Sequence, residues 1–213
     1  MDPRLLQISD SQFPVGALAH SFGLETLVAE GWVTKDNFRA YLLAMLKNQA
    51  GPCDLVFMLS ARRDIGGAAK LSGLYGCHRP VPEFHAASLA MGRRLVRLGF
   101  RLTGEPELGA LTDKNIHQPV AFGAVCAAMG IPERDAAYGF LYNWAAAATS
   151  AAVRLMPLGH DAAQEILYEM HGAIRLAFEE NRDRRAEDAW QFTPEAELAG
   201  IKHQKMYTRL FLS

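Results

Sequence analysis

An acid, an imidazole and a hydroxyl lie close together near the start of this sequence, as Asp10 and His20-Ser21, the ingredients of a nucleophilic triad. A triad is defined by geometry, and nearness along the chain supplies none. The seven histidines stand at 20, 78, 85, 117, 160, 171 and 203. His160 and His171 on one helix would be about 16 Å apart along its axis. No single ion bridges that gap, because Zn–N bonds are ~2 Å. Cys77-His78 with His85 is the least unfavourable metal set, and a loop cysteine beside a hydrogen-bonded histidine is the plainer reading. There is no C-x-x-C pair, no Gly-rich phosphate loop ending in Lys-Ser/Thr, no G-x-G-x-x-G and no G-x-S-x-G elbow. Arg93, Arg94, Arg97 and Arg101 fall opposite the apolar positions Met91, Leu95 and Leu98. They read as a solvated helix face or as a surface for an acidic partner. RNA is disfavoured, because no aromatic is taken to interleave with them.

The composition sets bounds on these readings. The chain has 213 residues, 50% hydrophobic and 21% charged, which is enough to bury a core without staples. The net charge of −1 excludes a protein devoted to coating phosphates. Three cysteines, Cys53, Cys77 and Cys126, build no disulfide framework, and a reducing cytoplasm is the expected compartment. The first residues lack the basic and apolar regions of a signal peptide. Ala136 to Val153 carries no charge for 18 residues, near the length needed to span a bilayer. Alanine gains little from lipid, and Asn143, Thr149 and Ser150 oppose insertion, so a buried helix is expected there.

Helical periodicity dominates the elements that must position these groups. Phe38, Tyr41, Leu42, Met45 and Leu46 form one stripe behind Asp36 as N-cap. Asp54, after Pro52, is expected to lead a second helix through Leu59. Phe84, Ala87, Met91, Leu95 and Leu98 mark another, and Phe122 to Met129 a fourth, with Pro119 at its start and Gly130 after it. The alanine-rich helix ends at Met156-Pro157-Leu158-Gly159. Asp161 with Gln164 reads as a capping box for a helix reaching about Asn181. Residues 64–82, 101–118 and 179–193 read as irregular. No strand-length alternating run occurs. The fold class is all-α: one domain over 1–213, a helical bundle around a long central Ala-rich helix, because alanines let neighbouring helices approach closely.

Two segments stay unexplained by packing alone. One is 1–25, in which Ser9 or Asp10 is a candidate cap and His20 and Glu25 are placed on a helix, five apart and on different faces. The other is the tail 201–213, which carries Met206, Tyr207, Arg209, Leu210 and Phe211, types enriched at interface hot spots. It either docks on its own core or is held for a partner.

Ser9-Asp10-Ser11-Gln12-Phe13-Pro14-Val15-Gly16 with His20-Ser21-Phe22-Gly23-Leu24-Glu25 resembles the N-terminal signature of the UreF-type urease accessory proteins. Ala152-Val153-Arg154-Leu155-Met156-Pro157-Leu158-Gly159, Val120-Ala121-Phe122-Gly123, Tyr142 and Tyr207-Thr208-Arg209-Leu210-Phe211-x-Ser213 are similar to further motifs of that family, in order along the chain. The resemblance implies an all-helical, non-enzymatic maturation factor. It would be a chaperone and scaffold in the cytoplasm, without nucleic acid or membrane, that joins the UreD/UreH-type accessory protein and the GTPase UreG, regulates that GTPase and delivers nickel to apo-urease.

No intrinsic cofactor, metal site or catalytic residue is expected; nickel is cargo in transit. Expected partner-binding residues are His20, Ser21, Glu25, Tyr207, Arg209, Leu210, Phe211 and Ser213. A homodimer is expected, with Tyr138 and Tyr142 at its interface. Arg154 is expected to pair within the chain, with a residue such as Glu25. Departures from the family pattern fall at Ala17, Phe22, His160, Ala163, Gln204 and Leu212. Two other readings suit the size and helicity. One is a haem-binding oxygenase-like enzyme with His20 or another helical histidine as axial ligand. The other is a direct nickel carrier using the scattered histidines.

Overall fold

The computed structural model describes residues 2–10 and 13–213; Ser11 and Gln12 of the signature lie outside the described residues. Among the described residues there are helices and no strand. α1 (Pro3–Ser9) is capped by Asp2, whose side chain accepts the Arg4 amide, and Asp10 is its C-cap. α2 is Leu24–Ala29 and α3 is Phe38–Met45, which begins behind Asn37, one residue after the expected cap Asp36.

The expected break near Pro52 does not occur. The helix continues from α3 as a π-helical stretch over Leu46–Leu55 and then as α4 (Val56–Arg63). A proline inside a regular turn would collide with the carbonyl four residues back, that of Asn48. The wider turn moves that carbonyl aside. The Asn48 oxygen then accepts from Phe192 N at 2.9 Å and the Pro52 oxygen from Trp190 N at 3.2 Å. Residues 190–193 are thereby pinned onto the π turn, which fixes where the C-terminal part begins.

α5 (Ala68–Cys77) occupies most of the segment read as irregular. Its glycines do not break it: Gly73 faces open space, and Gly76 lies where His85 and His117 pack against the helix. α6 (Pro82–Thr103) closes on Gly104, α7 (Pro106–Gly109) is one short turn, and α8 (Gln118–Ala128) ends before Gly130 as expected. α9 (Glu133–Leu155) is the alanine-rich helix. It touches α1, α2, α3, α4, α8, the π stretch and α10, so it is the hub of the bundle. The most completely buried helix is its neighbour α8. There Gly123 lies against the backbone of Met58 and Arg62, and any Cβ at that position would strike the Met58 carbonyl. This close crossing needs glycine.

α10 (His160–Asn181) begins directly after Gly159, so Asp161 lies in its first turn and forms no capping box. α11 (Pro194–His203) packs against α2 and α6. No helix among the described residues is long and apolar enough to cross a membrane. One connected core runs from Leu5 to Phe211. Within it Asp54 on the π stretch is held by Arg79 at 2.5 Å and by the Tyr75 hydroxyl at 2.9 Å. Burial pushes the Tyr75 hydroxyl far up, which keeps it a neutral donor.

Candidate functional site: a clasp between the signature segment and the tail

The signature segment is not helical where a helix was expected. His20 lies in extended backbone after a single 3₁₀ turn, Ala17–Ala19, and α2 begins only at Leu24. Between them Phe22 and Gly23 both take left-handed backbone, with φ of 49° and 88°. For phenylalanine this conformation is costly. It aims two consecutive amides at one point. The Ser21 and Phe22 N–H groups donate to the main-chain oxygen of Ser213 at 2.5 and 3.0 Å, and the Ser21 hydroxyl adds a third bond at 3.0 Å. Such a cup of donors converges on a single acceptor oxygen. Leu212 N donates to the Ala19 oxygen at 2.8 Å, and His20 Nδ1 lies 2.8 Å from Ser213 Oγ. His20 is half-buried, and burial first, then the nearby Arg94 cation, lowers its pKa.

Glu25 holds the tail from the other side. Its place in the first turn of α2 suits a carboxylate. It is buried, and its Oε1 accepts Leu210 N at 2.6 Å. Its Oε2 accepts Phe211 N at 3.1 Å and lies 3.0 Å from His203 Nε2. His203, the last residue of α11, is wholly buried, and its Nδ1 lies 2.8 Å from Glu83 Oε2. Arg209 Nη1 donates to the other Glu83 oxygen at 3.1 Å. The result is a polar chain, Glu25–His203–Glu83–Arg209, that ties α2, α11, α6 and the tail together. Both imidazole nitrogens face carboxylates.

Phe211 supplies the apolar anchor. Its ring is buried, with the Arg154 guanidinium stacked 4.2 Å from its centroid. Arg154 also donates to the Leu18 oxygen at 3.0 Å. The expected pairing of Arg154 with Glu25 is therefore wrong: Glu25 is taken up by the tail, and Arg154 covers Phe211. Tyr207 is fully exposed, Leu210 and Leu212 are 64% and 69% exposed, and Arg209 is part-exposed. The tail thus docks on its own core and also turns an apolar face to solvent.

His20, Ser21, Glu25, Arg209, Leu210, Phe211 and Ser213 meet in this one place, and Tyr207 stands just outside it. Sequence reasoning missed Glu83; its one signal was an acid in the first turn after Pro82. Tyr138 and Tyr142 lie elsewhere. They line a groove of about 670 Å³ between α1, α9 and α10, with Leu5, Leu6 and Ile174.

At His20 the geometry does not suit the enzyme-like readings. His20 engages Ser213, not Ser21, so the nucleophilic arrangement does not form. The cavity beside His20 is about 110 Å³, below the ~300 Å³ of small ligand pockets and far too small for a haem. His85 packs edge-on against His117, while His78 packs against Phe57. Among the described residues no three His, Cys, Asp or Glu side chains are arranged to hold a metal ion.

The family model for UreF matches residues 32–171. The chain belongs to the UreF family. It is 31% identical to the urease accessory protein UreF of Paenarthrobacter aurescens, over 98% of this chain and 96% of that protein. It is 32% identical to the UreF of Rhodopseudomonas palustris (strain BisB5), over 99% and 90%, and 30% identical to that of Trichodesmium erythraeum, over 97% and 94%. Most of the clasp lies outside the span of the family model, but these alignments to UreF proteins extend over nearly the whole chain.

Proposed function

We propose that this chain is a urease maturation factor: a non-catalytic cytoplasmic scaffold that joins a UreD/UreH-type accessory protein and the GTPase UreG for insertion of nickel into apo-urease, and regulates that GTPase. Nickel is its cargo. Membership of the UreF family supports the role in urease maturation. The absence of any phosphate-loop motif suits a protein that acts on a GTPase without being one.

One observation carries the scaffold reading: the tail is fixed by Glu25, Ser21 and Phe211, yet leaves Tyr207, Leu210 and Leu212 uncovered. A rigid, partly apolar surface loses little entropy on binding. In this reading Tyr207, Arg209 and Leu210 touch the UreD/UreH-type protein, and His20, Ser21, Glu25, Phe211 and Ser213 hold them from beneath. A second copy of the chain would cover the groove at Tyr138 and Tyr142.

The test is co-purification of the Tyr207→Ser/Leu210→Ser variant with the UreD/UreH-type protein. Both side chains are exposed, so the fold should persist. A folded variant should bind at least about tenfold more weakly, as expected for hot-spot residues. Unchanged binding would refute the tail surface.

A further inference from the structure

The outer face of α6 holds cations that no acidic side chain pairs with among the described residues. Arg93, Arg97 and Arg101 follow one another at four-residue spacing, ~6 Å per step, on the side away from buried Met91, Leu95 and Val96. Among the described residues these three make no hydrogen bond or ion pair. Several arginines elsewhere are engaged, Arg63 with Glu133, Arg79 with Asp54, Arg182 with Glu179 and Arg209 with Glu83, while Arg134 and Arg175 stand singly on other helices. Like charges four apart on a helix repel, so the row opposes the stability of the helix that carries it. Arg94, on the same side, has its Nη1 3.5 Å from the Val15 oxygen, so the row borders the signature segment.

We infer that this arginine row is a docking surface for a carboxylate-rich helix of a protein partner, with acids at matching four-residue spacing. Planar guanidinium forks on a rigid 22-residue helix suit carboxylates, which they can grip in bidentate fashion. Two other polyanions fit less well. Phe100, which does lie between Arg97 and Arg101, has its ring against Gly109 and offers no free stacking platform for bases. A membrane-binding helix carries large apolar residues beside its basic ones, whereas Leu102 falls on another side of α6. A net charge of −1 also works against long polyanions.

The inference rests on the scaffold reading, because the probes are its three partners: the UreD/UreH-type protein, the UreG-type GTPase and apo-urease. Affinity of each for the full chain is compared with that for Arg93→Gln/Arg97→Gln/Arg101→Gln, with folding checked by thermal denaturation. Affinity for one partner should fall about tenfold at about 50 mM salt, and the difference should fade near 500 mM. The Tyr207→Ser/Leu210→Ser variant should not share this salt dependence. A partner set that binds the wild-type chain and the glutamine variant equally overturns this inference alone. A wild-type chain that binds none of the three overturns the scaffold reading and this inference with it. Binding to poly(U) RNA or phosphatidylserine vesicles that the substitutions abolish, with all three proteins unaffected, also overturns it.

Discussion

Replacing Glu25 by glutamine asks whether one buried carboxylate closes the clasp. Its two oxygens accept from Leu210 N at 2.6 Å and Phe211 N at 3.1 Å, and Oε2 also lies 3.0 Å from His203 Nε2. A glutamine has one acceptor oxygen. Placing that oxygen at the Oε2 position keeps the Phe211 N bond and the His203 contact and turns an amide NH₂ toward Leu210 N. One buried donor is then unsatisfied, at about 1–3 kcal/mol, and the remaining bonds lose their charge assistance, about 1 kcal/mol more. The tail should therefore open more easily by about 2–4 kcal/mol. In native-state hydrogen exchange that is an acceleration of about thirty- to a thousandfold at the Leu210 and Phe211 amides. The amides of α8 should keep their wild-type rates. Glu25→Ala removes all three contacts and should accelerate the tail further. Unchanged exchange at Leu210 and Phe211 in Glu25→Gln would refute the clasp. Equal acceleration in α8 would show that Glu25 supports the whole core, not the tail.

Four other substitutions probe further parts of the account. Phe211→Ala should cost about 3–5 kcal/mol, read as a fall in the denaturation midpoint, because it empties a buried site under Arg154. Arg154→Gln removes only the cation and its bond to Leu18, so its cost should stay near 1–2 kcal/mol. Gly123→Ala forces a methyl against the Met58 carbonyl and should destabilise by about 1–3 kcal/mol or prevent folding, as seen by circular dichroism. His117 is held at a pKa of about 4 by burial first, then by the neighbouring His85 and Arg79 charges. The unfolded chain takes up that proton near pH 6.5, and the folded one only near 4. Stability from this group is therefore complete above about pH 6.5 and is lost as pH falls toward 4, by about 2 kcal/mol after allowance for solvent screening. Denaturant midpoints at pH 7 and pH 5 should differ less in His117→Gln than in the wild type.

Much of the architecture was legible because helices report themselves locally. The uncharged alanine run announced α9, and Pro119 and Gly130 bracketed α8. Errors arose where a tertiary contact overrode a local signal. Gly73 and Gly76 hid α5, although Gly76 is small because two histidine rings need the room. Pro52 suggested a break, yet a π turn absorbs it and lends its displaced carbonyls to residues 190 and 192. Asp161 resembled a cap, and Gly159 took that place.

The clasp was half legible. An aromatic, arginine-bearing tail signalled docking, and the signature signalled that something unusual lay near residue 20. That the two segments meet was not readable, because Glu25 and Phe211 are brought together only by the packing of α11 on α2. The left-handed Phe22 was not readable either, since only the three bonds to the Ser213 oxygen explain it.

Oxidative footprinting of Tyr207 and Leu210 in a purified complex with the UreD/UreH-type protein bears most directly on the central claim. Both side chains stand in solvent in the free chain. The account predicts that complex formation suppresses their labelling severalfold while Trp32, exposed elsewhere on the surface, reacts as before. A stable complex in which Tyr207 and Leu210 label at the free-chain rate would contradict it.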